Sequence, residues 1–254
     1  MKAYFTSVVG RRDENQDAHI IKSNHNMKII GIMDGHGDSD FVSRYLEKHI
    51  PHYYLKKNPP FDKHFHIETF KKIQKKILEH PEGFVNGSTC LLMFLYKEHN
   101  NIILNTVNLG DCRLVLLYDN GYKCITTDHK PDDEREQKRI KDLGGNIYVD
   151  DEGVHRICKL SVSKVFGDGD SQPYVSSEPE IFYDVLTSNT KFIVMACDGL
   201  WDEIKNEELP KLFKKYEGKN YAVELVNEAL RRGSTDNISV IVIKINDFEK
   251  IFHH

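Results

Sequence analysis

Aspartates recur in this sequence where apolar runs begin or end, which are the places where buried strands are expected to leave the core. The run at residues 28–33 is followed at once by Asp34, and the run at residues 192–196 is followed two residues later by Asp198. Aspartates in comparable positions are Asp17, Asp111 and Asp236. Any one of them is explained by the preference of aspartate for turns. All five together indicate a shared function.

Such a set of aspartates suits a metal centre if the strand ends meet at one edge of a sheet. Carboxylates held close together cannot all ionise without a counter-charge. Hard divalent cations, which prefer oxygen ligands, supply one. Because the sequence has no histidine and cysteine set with the spacing of a zinc site, magnesium or manganese is favoured. Gly35 adds to this pattern, since it has no side chain to keep its carbonyl away from a cation.

Two basic residues near these aspartates have the chemistry to act on a phosphate ester. A pair of divalent cations that activates a water and stabilises an oxyanion is typical of phosphoryl transfer. His36, two residues after Asp34, is placed to act as general acid for a leaving alkoxide. Arg12, five residues before Asp17, has the planar fork that binds phosphate. Taken alone, each has a commoner explanation, His36 as a surface histidine and Arg12 as part of a solvated turn.

The elements that must position these residues are mostly strands. Patterns typical of strands cover residues 3–9, 17–23, 28–33, 89–96, 101–108, 112–118, 122–127, 191–196 and 237–245. Asn100–Asn101 and Asn120–Gly121 predict hairpin turns, because these residue types tolerate positive φ. Consecutive hairpins imply strands that pair in antiparallel fashion.

Helical patterns fall in two groups, one between the early strands and one after them. They cover residues 41–50, 68–80, 132–145, 206–216 and 220–233. Asn206 and Asn220 are predicted N-caps, and Gly233 is the predicted end of the last helix. This order of elements predicts an α+β domain built around antiparallel sheets.

The composition limits the compartment and the partners. The chain has 254 residues and a net charge of −4, so it has no basic footprint for nucleic acid. Its five cysteines lack CxxC spacing, which favours structural thiols in a reducing compartment. No segment has a signal-peptide pattern or the length of a membrane span. We therefore expect a soluble, monomeric protein of the cytoplasm or nucleus that binds neither nucleic acid nor membranes.

Nine blocks of the sequence resemble, in order, those of the metal-dependent type 2C serine/threonine protein phosphatases. They are RRDENQDAH, GIMDGHGD, GSTCLLM, VNLGDCRLVLL, TTDHKPDDEREQKRIKDLGG, LSVSKVFGD, SSEPEI, MACDGLWDEIKNEEL and GSTDNISVIVI. The resemblance implies a single catalytic domain over residues 1–254. Its fold would be a central antiparallel β-sandwich flanked by helix pairs on both faces, with the metal site at one edge.

The resemblance also implies a ligand set for two Mg²⁺ or Mn²⁺ ions. Direct or water-mediated ligands would be Asp17, Asp34, Asp198 and Asp236, with Asp34 bridging the ions and the carbonyl of Gly35 contributing. Asp111 and Asp202 would hold a third, weaker ion.

The implied reaction is hydrolysis of phosphoserine and phosphothreonine in phosphoprotein substrates. His36 would be the general acid and Arg12 the phosphate-binding arginine. The attacking group would be a metal-bridging water, so no phosphoenzyme is expected.

The sequence departs from the commoner family pattern in several places. Gln16 stands where glutamate is common, and Lys164 stands where arginine is usual. The segment HRICKLS lacks the usual glycine, and Trp201 is the only tryptophan. We expect Gln16→Glu to strengthen attraction of cations, unless the amide of residue 16 donates a hydrogen bond that the exchange would remove.

Two other interpretations remain. A catalytically weak or inactive phosphatase-like binding module would lack metal ligands, and here every expected aspartate is present. A different two-metal phosphoesterase would carry its motifs in another order. The leading interpretation is therefore an active protein phosphatase.

Overall fold

The computed structural model describes residues 2–245, which form fifteen strands and seven α-helices. In chain order the strands are β1 (Lys2–Val8), β2 (Ala18–Ser23), β3 (Met27–Met33), β4 (Gly35–His36), β5 (Gly87–Ser88), β6 (Cys90–Glu98), β7 (Asn101–Leu109), β8 (Arg113–Tyr118), β9 (Tyr122–Cys124), β10 (Tyr148–Val149), β11 (His155–Arg156), β12 (Phe166–Gly167), β13 (Glu180–Leu186), β14 (Thr190–Ala196) and β15 (Ile238–Lys244). The helices are α1 (Phe41–Tyr54), α2 (Lys63–Ile77), α3 (Pro81–Val85), α4 (Glu134–Asp142), α5 (Asp198–Trp201), α6 (Leu209–Lys215) and α7 (Tyr221–Arg232).

Two five-stranded sheets make up the centre of the structure. One has the order β1-β15-β14-β8-β9 and the other β13-β7-β6-β3-β2. Every pairing within them is antiparallel. A three-stranded sheet, β12-β5-β4, and the hairpin β10-β11 lie apart from these two.

The inner strands of the two sheets are buried on both faces because each sheet is covered on both sides. In β14, Ile193 and Met195 belong to the core between the sheets, whereas Val194 and Ala196 belong to the core under α6 and α7. The other sheet packs its outer face against α1 and α2. Side chains alternate between faces with a period of two, so burial of both faces makes the run continuous. The predicted sandwich with a helix pair on each face is confirmed.

The strand register brings the predicted aspartates to one end of the sandwich. Ala18 pairs with Met33, so Asp17 and Asp34 lie side by side just beyond these residues. Leu109, at the end of β7, pairs with the first residue of β6. In the other sheet, Ala196 pairs with Val240 and places Asp198 beside the start of β15. The sequence expectation of a common edge is therefore correct.

Residues 133–175 form a small subdomain, called the flap here. It contains α4 and the β10–β11 hairpin, and Asp133 caps α4 by accepting from the backbone amides of Arg135 and Glu136. The flap has its own apolar cluster, made of Ile140, Ile157, Val162, Val165 and Val175.

The structure corrects several element predictions. Strand β13 is missing from them, because Tyr183 and Val185 are exposed on this edge strand and its pattern is mixed. Helix α2 begins at Lys63 rather than at residue 68, because Asp62 caps it. Asn206 is not an N-cap, since its side chain instead accepts a hydrogen bond from Arg113.

Other local predictions are confirmed. Asn220 caps α7 by accepting from the amide of Val223, and Gly233 ends this helix with a φ of 111°. Gly121 has a φ of 110° in the turn between β8 and β9. The turn between β6 and β7 lies one residue earlier than predicted, and its left-handed residue is His99. Within residues 2–245, no helix has both the length and the apolar character to cross a bilayer.

Candidate metal centre

An acidic cleft of about 650 Å³ opens at the end of the sandwich where the aspartates gather. Seven of the predicted site residues line it: Arg12, Asp34, Gly35, His36, Asp111, Asp198 and Asp236. Of the other two, Asp17 has an oxygen within 4.8 Å of one of Asp34, and Asp202 donates a hydrogen bond from its backbone amide to Asp198. The structure thus brings together residues from both sheets and from the loops that follow β3 and β7.

Asp17 lies beneath the cleft, and its surroundings leave one carboxylate oxygen unsatisfied. The residue is 4% exposed, and its Oδ1 has no hydrogen-bond partner among the described residues. One oxygen each of Asp17 and Asp34 and the thiol of Cys197 lie within 4.8 Å of one another. Burial raises the pKa of Asp17 to about 6. Its Oδ2 accepts from the Cys197 thiol at 3.6 Å. A buried carboxylate oxygen without a partner is costly, and a divalent cation is the partner that this geometry fits.

Asp34 and Asp198 respond even more strongly to their surroundings. Burial, followed by the charges of Asp198 and Asp17, raises the pKa of Asp34 well above its usual range. Burial and the charge of Asp111 raise the pKa of Asp198 to about 8. These carboxyl groups therefore resist ionising together until positive charge reaches them.

Asp202 lies one helical turn after Asp198. Its backbone amide donates to the Asp198 carbonyl at 2.9 Å, so α5 fixes the spacing of the two aspartates. Burial raises the pKa of Asp202, while the ammonium of Lys130 lowers it.

Lys130 is a member of the site that the sequence analysis missed. Its Nζ donates to Asp111 Oδ2 at 2.7 Å, and Asp111 is nearly fully buried. One predicted ligand of the third ion therefore already has a positive partner. Lys130 belongs to the block TTDHKP, and this block is the only signal in the sequence that could point to it.

Cys197 is a second residue that was not predicted. Its thiol donates to the carbonyl of Asn237 at 3.4 Å, and burial raises its pKa well above the usual value. It is thus a neutral thiol beside the carboxylates. A neutral thiol is a poor ligand for hard cations, so the preference for magnesium or manganese still holds.

His36 is held by Asp168, the third residue that the sequence analysis missed. His36 Nε2 lies 2.7 Å from Asp168 Oδ2, and the carboxylate is almost fully buried. The pairings of β4 with β5 and of β5 with β12 position these two side chains. A Cβ at Gly87 would lie 1.8 Å from Asp168 Oδ2, so this glycine makes room for the pair. Asp168 itself has a φ of 44°, a strained conformation typical of functional sites.

Arg12 lies at the mouth of the cleft. Its Nη2 donates to Asp236 Oδ2 at 2.8 Å, and its side chain is 59% exposed. The predicted phosphate-binding arginine therefore lies beside a predicted metal ligand and faces solvent.

Sequence comparison identifies the family. The family model described as Protein phosphatase 2C matches residues 2–238. The chain belongs to the protein phosphatase 2C family. Probable protein phosphatase 2C 7 of Oryza sativa subsp. japonica is 33% identical over 256 residues, which cover 96% of this chain and 66% of the relative. Probable protein phosphatase 2C 56 of the same plant is 32% identical over 262 residues, which cover 98% of this chain and 70% of the relative. This phosphatase 2C chain spans about two thirds of their length.

Solved structures agree on the fold. A phosphatase from Toxoplasma gondii has a TM-score of 0.85 at 20% identity, over 96% of this chain and 94% of that one. A sex determining protein of C. elegans has a TM-score of 0.86 at 22% identity, over 99% of this chain and 66% of that one. At these identities the likeness shows the phosphatase 2C fold.

The departures from the commoner phosphatase 2C pattern have structural roles. Gln16 Nε2 donates to the carbonyl of Gly37 at 3.0 Å, a role that a carboxylate cannot take. A Cβ at Gly35 would lie 2.5 Å from the Gln16 carbonyl oxygen, so close packing requires this glycine. Lys164 Nζ lies 3.6 Å from Glu136 Oε1, so this ion pair links the segment around Lys164 to α4 within the flap.

Proposed function

We propose that this chain is a protein phosphatase that hydrolyses phosphoserine and phosphothreonine with two Mg²⁺ or Mn²⁺ ions. The observation that carries the proposal is the cluster of Asp17, which is buried and has an unpaired oxygen, with the half-buried Asp34 and Asp198, all three with raised pKa beside an open cleft. Membership of the phosphatase 2C family supports it. His36 and Arg12 line the same cleft, and they would protonate the leaving group and bind the phosphate.

The ligand set follows from the positions of the aspartates. The side chains of Asp17, Asp34, Asp198 and Asp236 and the carbonyl of Gly35 would hold the two ions. Asp111 and Asp202 would hold a third, weaker ion, in competition with the Lys130 ammonium for Asp111. When bound, the ions neutralise the carboxylates, activate a water and polarise the phosphate.

The chain's own residues bind the phosphate and protonate the leaving group. Arg12 is exposed enough to turn its guanidinium from Asp236 to a phosphate oxygen. Asp168 holds Nε2 of His36, which leaves Nδ1–H of the protonated ring to donate to the leaving alkoxide. Asp168 thus positions the acid.

The proposal takes residues 1–254 as one catalytic domain, of which residue 1 and residues 246–254 lie outside the described part. We propose a monomer that acts on phosphoproteins in the cytoplasm or nucleus. The net charge of −4 offers no attraction for nucleic acid.

Phosphopeptide hydrolysis with added manganese, and again after chelation, tests the proposal. We expect turnover with manganese, loss in excess chelator and recovery when manganese is restored. Full activity in chelator would refute metal dependence. Manganese binding by calorimetry without any hydrolysis would instead favour the phosphatase-like binding module.

A further inference from the structure

The flap carries a tight turn whose two central residues adopt a conformation that side chains disfavour. Ile157 and Leu160 exchange backbone hydrogen bonds of 3.0 and 2.8 Å, which closes a two-residue loop at Cys158 and Lys159. Both loop residues have positive φ, 49° for Cys158 and 76° for Lys159. Such turns ordinarily take asparagine or glycine. Strain of this kind concentrates at functional sites, so the Lys159 side chain on this turn is a candidate for a functional role.

Arg156 fixes this turn in place. Its Nη1 donates to the carbonyl of Lys159 at 3.1 Å, and its guanidinium also pairs with Asp150. Arg156 and Lys159 both line the acidic cleft that contains Asp34 and Asp198. The turn therefore holds a lysine over the same cleft as the candidate metal centre.

The charges in the cleft single out Lys159. Of the arginine and lysine side chains that line it, Arg12 pairs with Asp236 and Arg156 pairs with Asp150. Within residues 2–245, the ammonium of Lys159 has no ion-pair partner. An unpaired, exposed cation on a fixed backbone turn beside the reaction centre is suited to an anionic group of the substrate.

Carboxylates elsewhere in the cleft limit where such an anion can bind. Asp13, Glu14 and Asp38 also line the cleft, and they repel an acidic side chain. The flap turn is thus the favourable position for a second negative charge.

We propose that Lys159 binds an anionic side chain, a carboxylate or a second phosphate, that flanks the phosphorylated residue of the substrate. The proposal rests on the proposed phosphatase function and extends it to a substrate class. Acidic phosphopeptides are therefore better substrates than neutral ones.

Three phosphothreonine peptides of otherwise identical sequence test the proposal, with aspartate, alanine or a non-hydrolysable phosphonate beside the phosphothreonine. Lys159→Asn removes the charge and keeps a residue that tolerates positive φ. Lys159→Arg keeps the charge. Lys138→Gln is the matched control, because Lys138 is a strongly exposed flap residue outside the cleft.

We expect the wild-type protein to have a kcat/KM about threefold higher for the aspartate peptide than for the alanine peptide, the size of an exposed ion pair. The advantage should disappear in Lys159→Asn and persist in Lys159→Arg and Lys138→Gln. It should also shrink in the wild type as salt is added, which tests the proposal without any variant. A larger gain for the phosphonate than for aspartate would identify phosphate as the preferred anion.

Equal efficiency for all three peptides, or an advantage retained in Lys159→Asn, would overturn this inference alone. Failure of the wild type to hydrolyse any peptide with manganese would overturn the proposed function and the inference with it.

Discussion

The aspartates of the metal centre and Glu228 of α7 are shielded from solvent, yet the pKa values of their carboxyl groups shift in opposite directions. Burial and neighbouring carboxylates raise the pKa of Asp198 to about 8. Hydrogen bonds from Tyr216 and then Arg232 lower the pKa of Glu228 to about 2, although burial opposes this shift. Burial alone disfavours the charged form in both places. The difference lies in the partners that each carboxylate finds.

Four side chains donate to the Glu228 carboxylate. Tyr216 Oη donates at 2.5 Å, Arg231 Nη2 at 2.6 Å, Arg232 Nε at 3.2 Å and Lys215 Nζ at 3.3 Å. In the metal centre, Asp17 Oδ1 has no donor among the described residues, and Asp34 and Asp198 lie beside other carboxylates. Glu228 therefore stabilises the fold on its own, whereas these aspartates need cations. Carboxylates that lack protein partners are thus a sign of function.

The largest expected effect comes from removing a carboxylate from the metal centre. Asp34→Asn should lower turnover by roughly 10³-fold, because a bound cation contributes several kcal/mol to the transition state. The same change should raise the unfolding temperature of the metal-free protein, since it relieves repulsion. Phosphopeptide kinetics and thermal melts in chelator measure the two effects.

Asp38→Asn is the matched control, because Asp38 lines the same cleft and is not a predicted ligand. Near-normal turnover of Asp34→Asn at saturating manganese would contradict the ligand assignment.

The next largest effect is expected at Asp168, a carboxylate that pairs with His36 in the cleft. Asp168→Asn should lower turnover of phosphothreonine peptides by about 10- to 100-fold, the range for residues that orient a functional group. Turnover of aryl phosphates should fall less, since a phenolate leaves with little protonation. Equal losses on both substrates would assign Asp168 a purely structural role.

A smaller effect is expected at Glu228. The folded pKa of Glu228 lies below the ordinary 4.5, so its contribution to stability is complete above that pH and is lost as the pH falls toward 2. Glu228→Gln should therefore lower the free energy of unfolding at pH 7 by about 1–2 kcal/mol. The gap from the wild type should narrow below pH 4.5.

Urea titrations at several pH values measure this gap. Glu224→Gln is the control, because it removes the same charge from the same helix, where Glu224 pairs with Lys219 at 3.4 Å. A gap that does not change with pH would mean that Glu228 acts through packing and not through its charge.

Most strands of the two large sheets, and the clustering of the aspartates, follow from the sequence because periodicity and turn chemistry are local signals. The arrangement of the sheets as a sandwich between helix pairs is instead an implication of the family resemblance. The runs that end at Asp34 and Asp198 are read correctly because burial on both faces makes them continuous. Edge strand β13 escapes because its pattern depends on which neighbours cover it.

The partners of the aspartates escape for a related reason. Asp168 and Lys130 act through contacts with residues 132 and 19 positions away, and no periodic pattern reports such contacts. Arg12 and Asp236 are recognisable by type, but their ion pair, 224 positions apart, is not.

The smallest expected effect comes from adding a carboxylate at the edge of the metal centre. Gln16→Glu replaces the donor to the Gly37 carbonyl with an acceptor, and the lost hydrogen bond should cost about 1 kcal/mol of metal-free stability. The added charge also meets the neighbouring aspartates, and cations relieve that repulsion. The rise in unfolding temperature on adding manganese should therefore be larger in Gln16→Glu than in the wild type. Gln16→Met separates the two causes, because it loses the donor without gaining a charge. An unchanged unfolding temperature of metal-free Gln16→Met would show that the hydrogen bond from the Gln16 amide contributes nothing to stability. A smaller manganese-induced rise in Gln16→Glu than in the wild type would show that loosening of the loop outweighs the added charge.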